Sequence, residues 1–151
     1  MKWQAWCVSL VGTLVATWIV GSPSFGDGGA IAGSLKVQSD DHAVTITNKQ
    51  QLVLQYQFNP VPFKPCIQQF LSPAGVNILR DAPPDHAHHH ALMFAIAADG
   101  VNFWEEVAPA GRQVHRSFVS HGGKASFFSS MVFVTEQLDW VGPENQTILQ
   151  E

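Results

Sequence analysis

The feature that most constrains this chain is a succession of short β-branched or alternating runs, separated by turn residues and spaced about ten residues apart. The predicted strands lie at residue 37 and at residues 43–48, 52–56, 67–71, 92–97, 100–104, 113–120, 124–135 and 147–150. The predicted turns lie at residues 98–100, 111–112, 121–123 and 142–143. No segment after the first 26 residues keeps a helical periodicity. The sequence therefore predicts an all-β domain, built as an antiparallel β-sandwich or a larger sheet sandwich.

The N-terminus has the features of a signal peptide. Lys2 precedes an almost uncharged run at residues 7–20, and the small residues Ser24 and Gly26 precede a predicted cleavage site before Asp27. The run is shorter than the roughly 20 residues of a membrane span, so an uncleaved anchor fits less well. We expect a signal peptide at residues 1–26, a flexible leader at 27–36 and a β-sandwich domain at 37–151. The predicted location is periplasmic or extracellular.

The composition indicates which classes of partner the chain can bind and how its fold is stabilised. The chain has 8 Lys and Arg against 12 Asp and Glu, which makes nucleic acid and anionic membrane surfaces poor partners. No apolar stretch after the signal is long enough to span a membrane. Ten Phe indicate a well-filled core. Cys66 is the single cysteine after cleavage, so we predict a small buried side chain there rather than a disulfide or a reactive thiol.

The C-terminal residues suggest that the domain continues. They are predicted to form a strand, a Gly-Pro turn at residues 142–143, and the beginning of another strand. An all-β domain that ends on an opening strand leaves an unpaired edge. We therefore expect the sandwich to be truncated at this end.

The segment from Pro83 to His90 is the strongest candidate for a site, because two prolines are followed by four histidines in five residues. If it were extended, His86, His88 and His90 would share one face, with alternate Cα atoms roughly 6.6 Å apart. Two imidazoles at that spacing, His86 and His88 for example, can bind one divalent metal ion, provided that a third ligand comes from elsewhere. The alternative is that these histidines hydrogen-bond the loop or face water.

Two further segments hold polar and aromatic candidates. Trp104 is suited to stacking on a sugar ring, although Phe103 and Trp104 are more often part of a core. Glu105 or Glu106 could be a general acid or base, although paired glutamates at a strand end are more often solvated. His115 could contribute to the same cleft. The sequence has no nucleophile elbow, phosphate-binding loop, Cys-X-X-Cys pair or dinucleotide fingerprint, which argues against serine hydrolases, nucleotide enzymes and thiol redox proteins.

Two arginines complete the candidates. Arg80 adjoins the proline-stiffened loop and Arg116 follows His115, so either could bind a carboxylate or a sugar hydroxyl. Either could equally form an ion pair within the domain.

Several of these motifs together resemble a secreted bacterial family of unknown function, often labelled PmoA or methane oxygenase. The resemblance covers roughly residues 52–151, and its most specific part is the Pro-Pro-Asp-His-X-His-His element at residues 83–89. In that family a basic residue, a glycine and an aromatic usually follow, where this chain has His90, Ala91 and Met93. The resemblance implies a β-sandwich, similar to the mutarotase-like supersandwich of carbohydrate enzymes, within a domain longer than this chain. We do not extend the oxygenase name, because such subunits have several membrane spans.

The leading hypothesis is a carbohydrate-active or carbohydrate-binding domain. The predicted catalytic residues are His86, His88, His89, His115 and Glu105, and the predicted substrate-binding residues are Arg80, Trp104 and Arg116. A histidine would be the general acid toward a ring or glycosidic oxygen, with Glu105 or Glu106 as base. The alternative is a non-catalytic metal-binding or surface-interaction domain, and a divalent metal is the cofactor considered.

Overall fold

The fold is all-β and antiparallel, as predicted. The computed structural model describes residues 35–125 and 130–151, with backbone only for residues 121–125 and 130, together with the backbone of Ala16–Thr17. The strands are β1 Ala16–Thr17, β2 Leu35–Ser39, β3 Ala43–Asn48, β4 Gln51–Gln57, β5 Cys66–Phe70, β6 Ala97–Ala98, β7 Val101–Asn102, β8 Arg112–Ala125, β9 Ser130–Val141 and β10 Thr147–Gln150. No helix occurs among the described residues, so none there could cross a membrane.

The first sheet has the strand order β2-β3-β4-β5. Alternating apolar residues of β3 and β4 place Ile46 opposite Leu54, and both are buried. Ile67 of β5 joins them, and Val132 of β9 packs on this cluster from the second sheet. The first core therefore links the two sheets at the beginning of β9.

The second sheet is organised around β9. Strand β8 pairs along one side of β9, while β10 and β1 pair with its two ends on the other side. The register shifts between His115 and Ser117 and again between Phe118 and Ser120, which marks two bulges in β8. The predicted turn at residues 121–123 is wrong, because these residues still pair with β9 and the connection lies between Ala125 and Ser130.

A second core lies at the other end of β9. Trp140 is fully buried and packs on Phe103 with ring centroids 5.0 Å apart, and Ala95 completes the cluster. Phe103 follows the β6–β7 hairpin, whose turn residues Asp99 and Gly100 both have positive φ, as a tight hairpin turn requires. The predicted turn at residues 98–100 is thus confirmed.

The predicted strand at residues 92–97 is largely absent. Leu92 makes a single bridge with Ile67, and strand pairing begins only at Ala97. The apolar side chains of Leu92, Phe94 and Ile96 are exposed on this segment. This segment has alternating apolar residues, but it lacks a neighbouring strand to pair with along its length, so it does not form a β-ladder.

The predicted signal peptide and most of the predicted leader lie outside the described residues. The exceptions are Ala16–Thr17, which pair with Met131 and Val132, and Leu35 and Lys36, which belong to β2. Cys66 is buried as predicted, and burial raises the pKa of its thiol to about 11. This thiol is therefore neutral at ordinary pH.

Candidate functional site

The histidine segment is a compact loop, in contrast to the extended strand considered from the sequence. The amide of His86 donates to the carbonyl of Pro83, and the amide of His89 donates to the carbonyl of His86, so two successive turns fold the chain. The turns bring His86, His88 and His89 together, with ring centroids 4.4 to 6.0 Å apart. His90 is directed elsewhere. His86, His88 and His90 therefore do not share one face; His86 and His88 are grouped with His89 instead.

Trp104 lies beside this histidine group. Its ring centroid is 5.2 Å from that of His89 and 6.3 Å from that of His88, both nearly perpendicular. The side chain of Asn102 positions it, because its Oδ1 accepts hydrogen bonds from the amides of Trp104 and Glu105. Trp104 is 42% exposed, so the indole is available to a ligand. We call the surface formed by His86, His88, His89 and Trp104 the His–Trp face.

An ionic chain that begins at the buried Lys64 and ends at the exposed Asp81 holds the His–Trp face to the body of the domain. Lys64 is 2% exposed, and its Nζ donates to the carbonyl of Trp104 at 3.0 Å and to Glu106 Oε1 at 2.6 Å. The other oxygen of Glu106 bonds to His90 Nε2, and His90 Nδ1 bonds to Asp81, each at 3.0 Å. This chain fixes both the end of the histidine loop and the backbone of Trp104.

The histidines of the site differ in their electrostatics. Burial and the neighbouring His88 and His86 lower the pKa of His89, which favours a neutral imidazole at pH 7. Burial would also lower the pKa of His90, but hydrogen bonds with Glu106 and Asp81 outweigh it and raise that pKa. Hence His89 is suited to binding a ligand, whereas His90 is suited to an ionic structural bridge.

His115 belongs to a second cluster, on the strands of the sandwich. Its Nδ1 lies 2.5 Å from Glu136 Oε1, and its ring contacts those of Phe58 and Phe118, which also contact each other. The other carboxylate oxygen of Glu136 accepts a hydrogen bond from the hydroxyl of Tyr56. Burial raises the pKa of Glu136 despite these hydrogen bonds, and burial beside Glu136 raises the pKa of Tyr56. None of these contacts joins His115 to the His–Trp face within the described part of the chain.

The remaining predicted residues are dispersed. Glu105 is exposed next to Trp104 and accepts a hydrogen bond from Asn102 at 3.3 Å. Arg80 is exposed just before the histidine loop. Arg116, at the first bulge of β8, forms an ion pair with Asp139, which also accepts a hydrogen bond from Gln150. Glu105 alone of these three is placed beside the His–Trp face by its contacts.

A metal site is not preformed in the described residues. No group of three or more His, Cys, Asp or Glu side chains there is arranged to hold an ion. Asp85 Oδ2 lies 3.1 Å from His86 Nδ1, and hydrogen bonds from its own backbone amide and from His86 lower the pKa of this carboxyl. Metal binding by His86 and His88 stays a prediction that needs a further ligand.

The sequence model of a family of unknown function, DUF6807, matches residues 43–151. The chain belongs to this family. No curated protein and no solved structure gives a significant match. The DUF6807 segment begins at β3 and includes the His–Trp face, the ionic chain from Lys64 and the group formed by Tyr56, His115 and Glu136, so all three are parts of the family's domain.

Three polar residues of the DUF6807 domain were missed by the reasoning from sequence. Lys64 interrupts an otherwise apolar stretch between Phe63 and Pro65, and it is one of only 8 Lys and Arg residues. Glu136 occupies the same side of β9 as Val132 and Trp140 by alternation, which marks it as an inward polar residue. Tyr56 is the single tyrosine of the chain and lies in β4, two residues after the buried Leu54. For Lys64 and Glu136, the signal in the sequence was a charged residue at an apolar position.

Proposed function

We propose that this protein is an exported domain that binds carbohydrate, and acts on it if it is an enzyme, through the His–Trp face. The observation on which the proposal depends is the exposed ring of Trp104, contacted at its side by His88 and His89. An indole offers a sugar a flat apolar platform, and imidazole nitrogens offer its hydroxyls hydrogen-bond donors and acceptors. Ligand sites commonly combine an apolar surface with a few convergent polar groups of this kind.

The contacts that hold the His–Trp face in place favour ligand binding by its histidines over a purely structural role for them. The ionic chain from Lys64 to His90 already attaches the loop to the domain. His86 is exposed, and its ring contacts are with His88 and His89. Apart from Nδ1 of His86, which pairs with Asp85, the imidazole nitrogens of the face have no hydrogen-bond partner among the described residues and are available to a ligand.

In the catalytic form of the proposal, two kinds of group would act on the sugar. A histidine of the face would protonate a ring or glycosidic oxygen, and Glu105 would be the base, since Glu106 is engaged by Lys64 and His90. His89, with its lowered pKa, is neutral at pH 7, so it would accept a proton from the sugar rather than be the acid.

The test is a screen of the full chain against an oligosaccharide array, followed by calorimetric titration of the sugars that bind. Trp104→Ala should weaken binding about tenfold or more, because it removes the stacking platform. Ile78→Ala, at an exposed apolar position outside the face, should bind like the wild type. Equal binding by Trp104→Ala, or no sugar bound at all, would refute the proposal.

The closeness of the three imidazoles favours a second candidate, non-catalytic metal binding. Rings 4.4 to 6.0 Å apart can converge on one ion after small rotations, and a neutral His89 is the protonation state that a metal needs. Elemental analysis of the untagged protein, with thermal melts before and after chelation, distinguishes the two. Near-unit metal content that chelation removes, with loss of stability, would support a metal site. A folded, metal-free protein stabilised by sugar would support carbohydrate binding.

A further inference from the structure

A large cavity lies between the two sheets, apart from the His–Trp face. Its volume is about 830 Å³, within the range of small-molecule sites. Strand β9 crosses it, with Val132 in the first core at one end and Trp140 in the second core at the other. Most of its wall is apolar, including Ile46, Leu54 and Leu138. None of the residues of the His–Trp face lines it.

The polar part of the wall is concentrated around Glu136. Its carboxylate is held by the hydroxyl of Tyr56 from the opposite sheet and by Nδ1 of His115 from the neighbouring strand. The side chain is 10% exposed and lines the cavity, as does Tyr56. A carboxylate fixed by two partners on different strands is preorganised, and each of its oxygens keeps a lone pair for another donor.

The charges of the wall select the kind of ligand. The charged residues that line the cavity are Glu136 and Glu151, and no Lys or Arg lines it among the described residues. The remaining polar lining comes from amides and one hydroxyl each of Tyr56 and Thr135. An anionic ligand would lose its hydration without gaining a cationic partner, whereas a hydroxyl or an ammonium group would find acceptors.

We propose that this cavity binds a small, largely apolar molecule that has a hydroxyl or amine group and no anionic group. The apolar body lies between the sheets against Ile46, Leu54 and Leu138, and the polar end donates a hydrogen bond to Glu136. Tyr56 and His115 are positioning residues, which hold the carboxylate in place. This site goes beyond the carbohydrate proposal and does not depend on it.

The test uses three probes with one apolar body: phenylbutylamine, phenylbutanol and phenylbutyrate. Calorimetric titration of the full chain should show binding of the amine and the alcohol, with the carboxylate weaker by at least roughly tenfold. Glu136→Gln should reduce the preference for the amine over the alcohol, because it removes the charge that the ammonium group meets. Equal or tighter binding of the carboxylate would overturn the proposal.

A steric variant locates the binding. Val119 lines the cavity and is 67% exposed, so Val119→Trp should narrow the cavity without disturbing a core, and should weaken the amine and the alcohol by roughly tenfold. Val76→Trp is the matched control, since Val76 is 62% exposed and outside the cavity, and it should bind like the wild type. If Val119→Trp fails to fold, methyl NMR shifts of Leu92 and Leu138 on adding the amine give the location. Unchanged binding by a folded Val119→Trp would overturn the proposal, and so would NMR shifts at residues outside the cavity. The proposal would also be overturned if none of the three probes binds because another segment or a second copy fills the cavity.

Discussion

Gly111 is the position where one added methyl group should cost the most. A Cβ there would lie 2.3 Å from Cε1 of Phe103 and within 2.8 Å of two further ring atoms. Phe103 is 2% exposed and packs on the fully buried Trp140, so the ring has no free space to enter. The backbone is also held, because the amide of Gly111 donates to the carbonyl of Asn102 at 2.8 Å. Gly111→Ala must therefore displace the second core.

The magnitude follows from overpacking. Inserting a methyl group into a filled core lowers the free energy of unfolding by about 1–3 kcal/mol. Because neither the Phe103 ring nor the backbone can move away, we expect Gly111→Ala to lower it by about 3 kcal/mol. At about 4 °C per kcal/mol for a domain of this size, Tm should fall by about 12 °C. Phe103→Leu in the same chain removes part of the clash, so the double variant should be no less stable than Gly111→Ala.

The assay is urea unfolding of the wild type, the two single variants and the double variant. Gly142→Ala is the matched control: its Cβ would also lie 2.6 Å from another residue, but that contact is the exposed amide of Gln146, which can move away. The control should cost less than about 1 kcal/mol. A Gly111→Ala variant within about 0.5 kcal/mol of the wild type would show that the second core is not packed as described.

Three further predictions concern the support of the His–Trp face. Lys64→Met should lower the free energy of unfolding in urea by about 3–5 kcal/mol, because Glu106, whose side chain is 14% exposed, loses the buried ammonium group that pairs with it; a loss below about 1 kcal/mol would contradict this ion pair. The stability contributed by His90, whose folded pKa is raised, is fully present below its unfolded value of about 6.5 and is lost as pH rises through the folded pKa. Melts of His90→Asn from about pH 5.5 to 8.5 should thus show a deficit that shrinks with rising pH, and a constant deficit would argue against the bridge. Ala91→Gly should raise the unfolding free energy in urea by about 0.5–1 kcal/mol, since Ala91 has φ 36°, whereas a loss would mean that this conformation is not strained.

Local sequence predicted the strands well where alternation and pairing agree. The predicted run at residues 43–48 coincides with β3, whose apolar residues face the first core on one side. The prediction from local sequence failed at residues 121–123. Two glycines there tolerate a strand as well as a turn, and the long pairing of β8 with β9 makes this segment a strand. Sequence spacing indicates which turns are possible, and the partner strand determines which of them form.

The histidine loop shows the same limit at the level of the site. Its density of histidines identified it as a candidate, but the extended geometry considered for it did not form, because the carbonyls of Pro83 and His86 accept local hydrogen bonds. Partners distant in sequence could not be predicted either: Lys64 meets Glu106 across 42 residues, and Tyr56 meets Glu136 across 80. No pattern within a single strand specifies such pairs.

The position of Glu136 is difficult to explain by stability alone. Burial raises its pKa, which means that the folded protein disfavours its charged form, and a buried polar network of this kind is often no more stabilising than apolar side chains of similar volume. Strand β9 has apolar residues before and after it on the same side, at Val132 and Trp140, so an apolar residue would continue the pattern. The two partners that hold the carboxylate come from both sheets and leave it lining the cavity. A ligand that donates a hydrogen bond to Glu136 would explain why a carboxylate occupies this position, which core packing does not require.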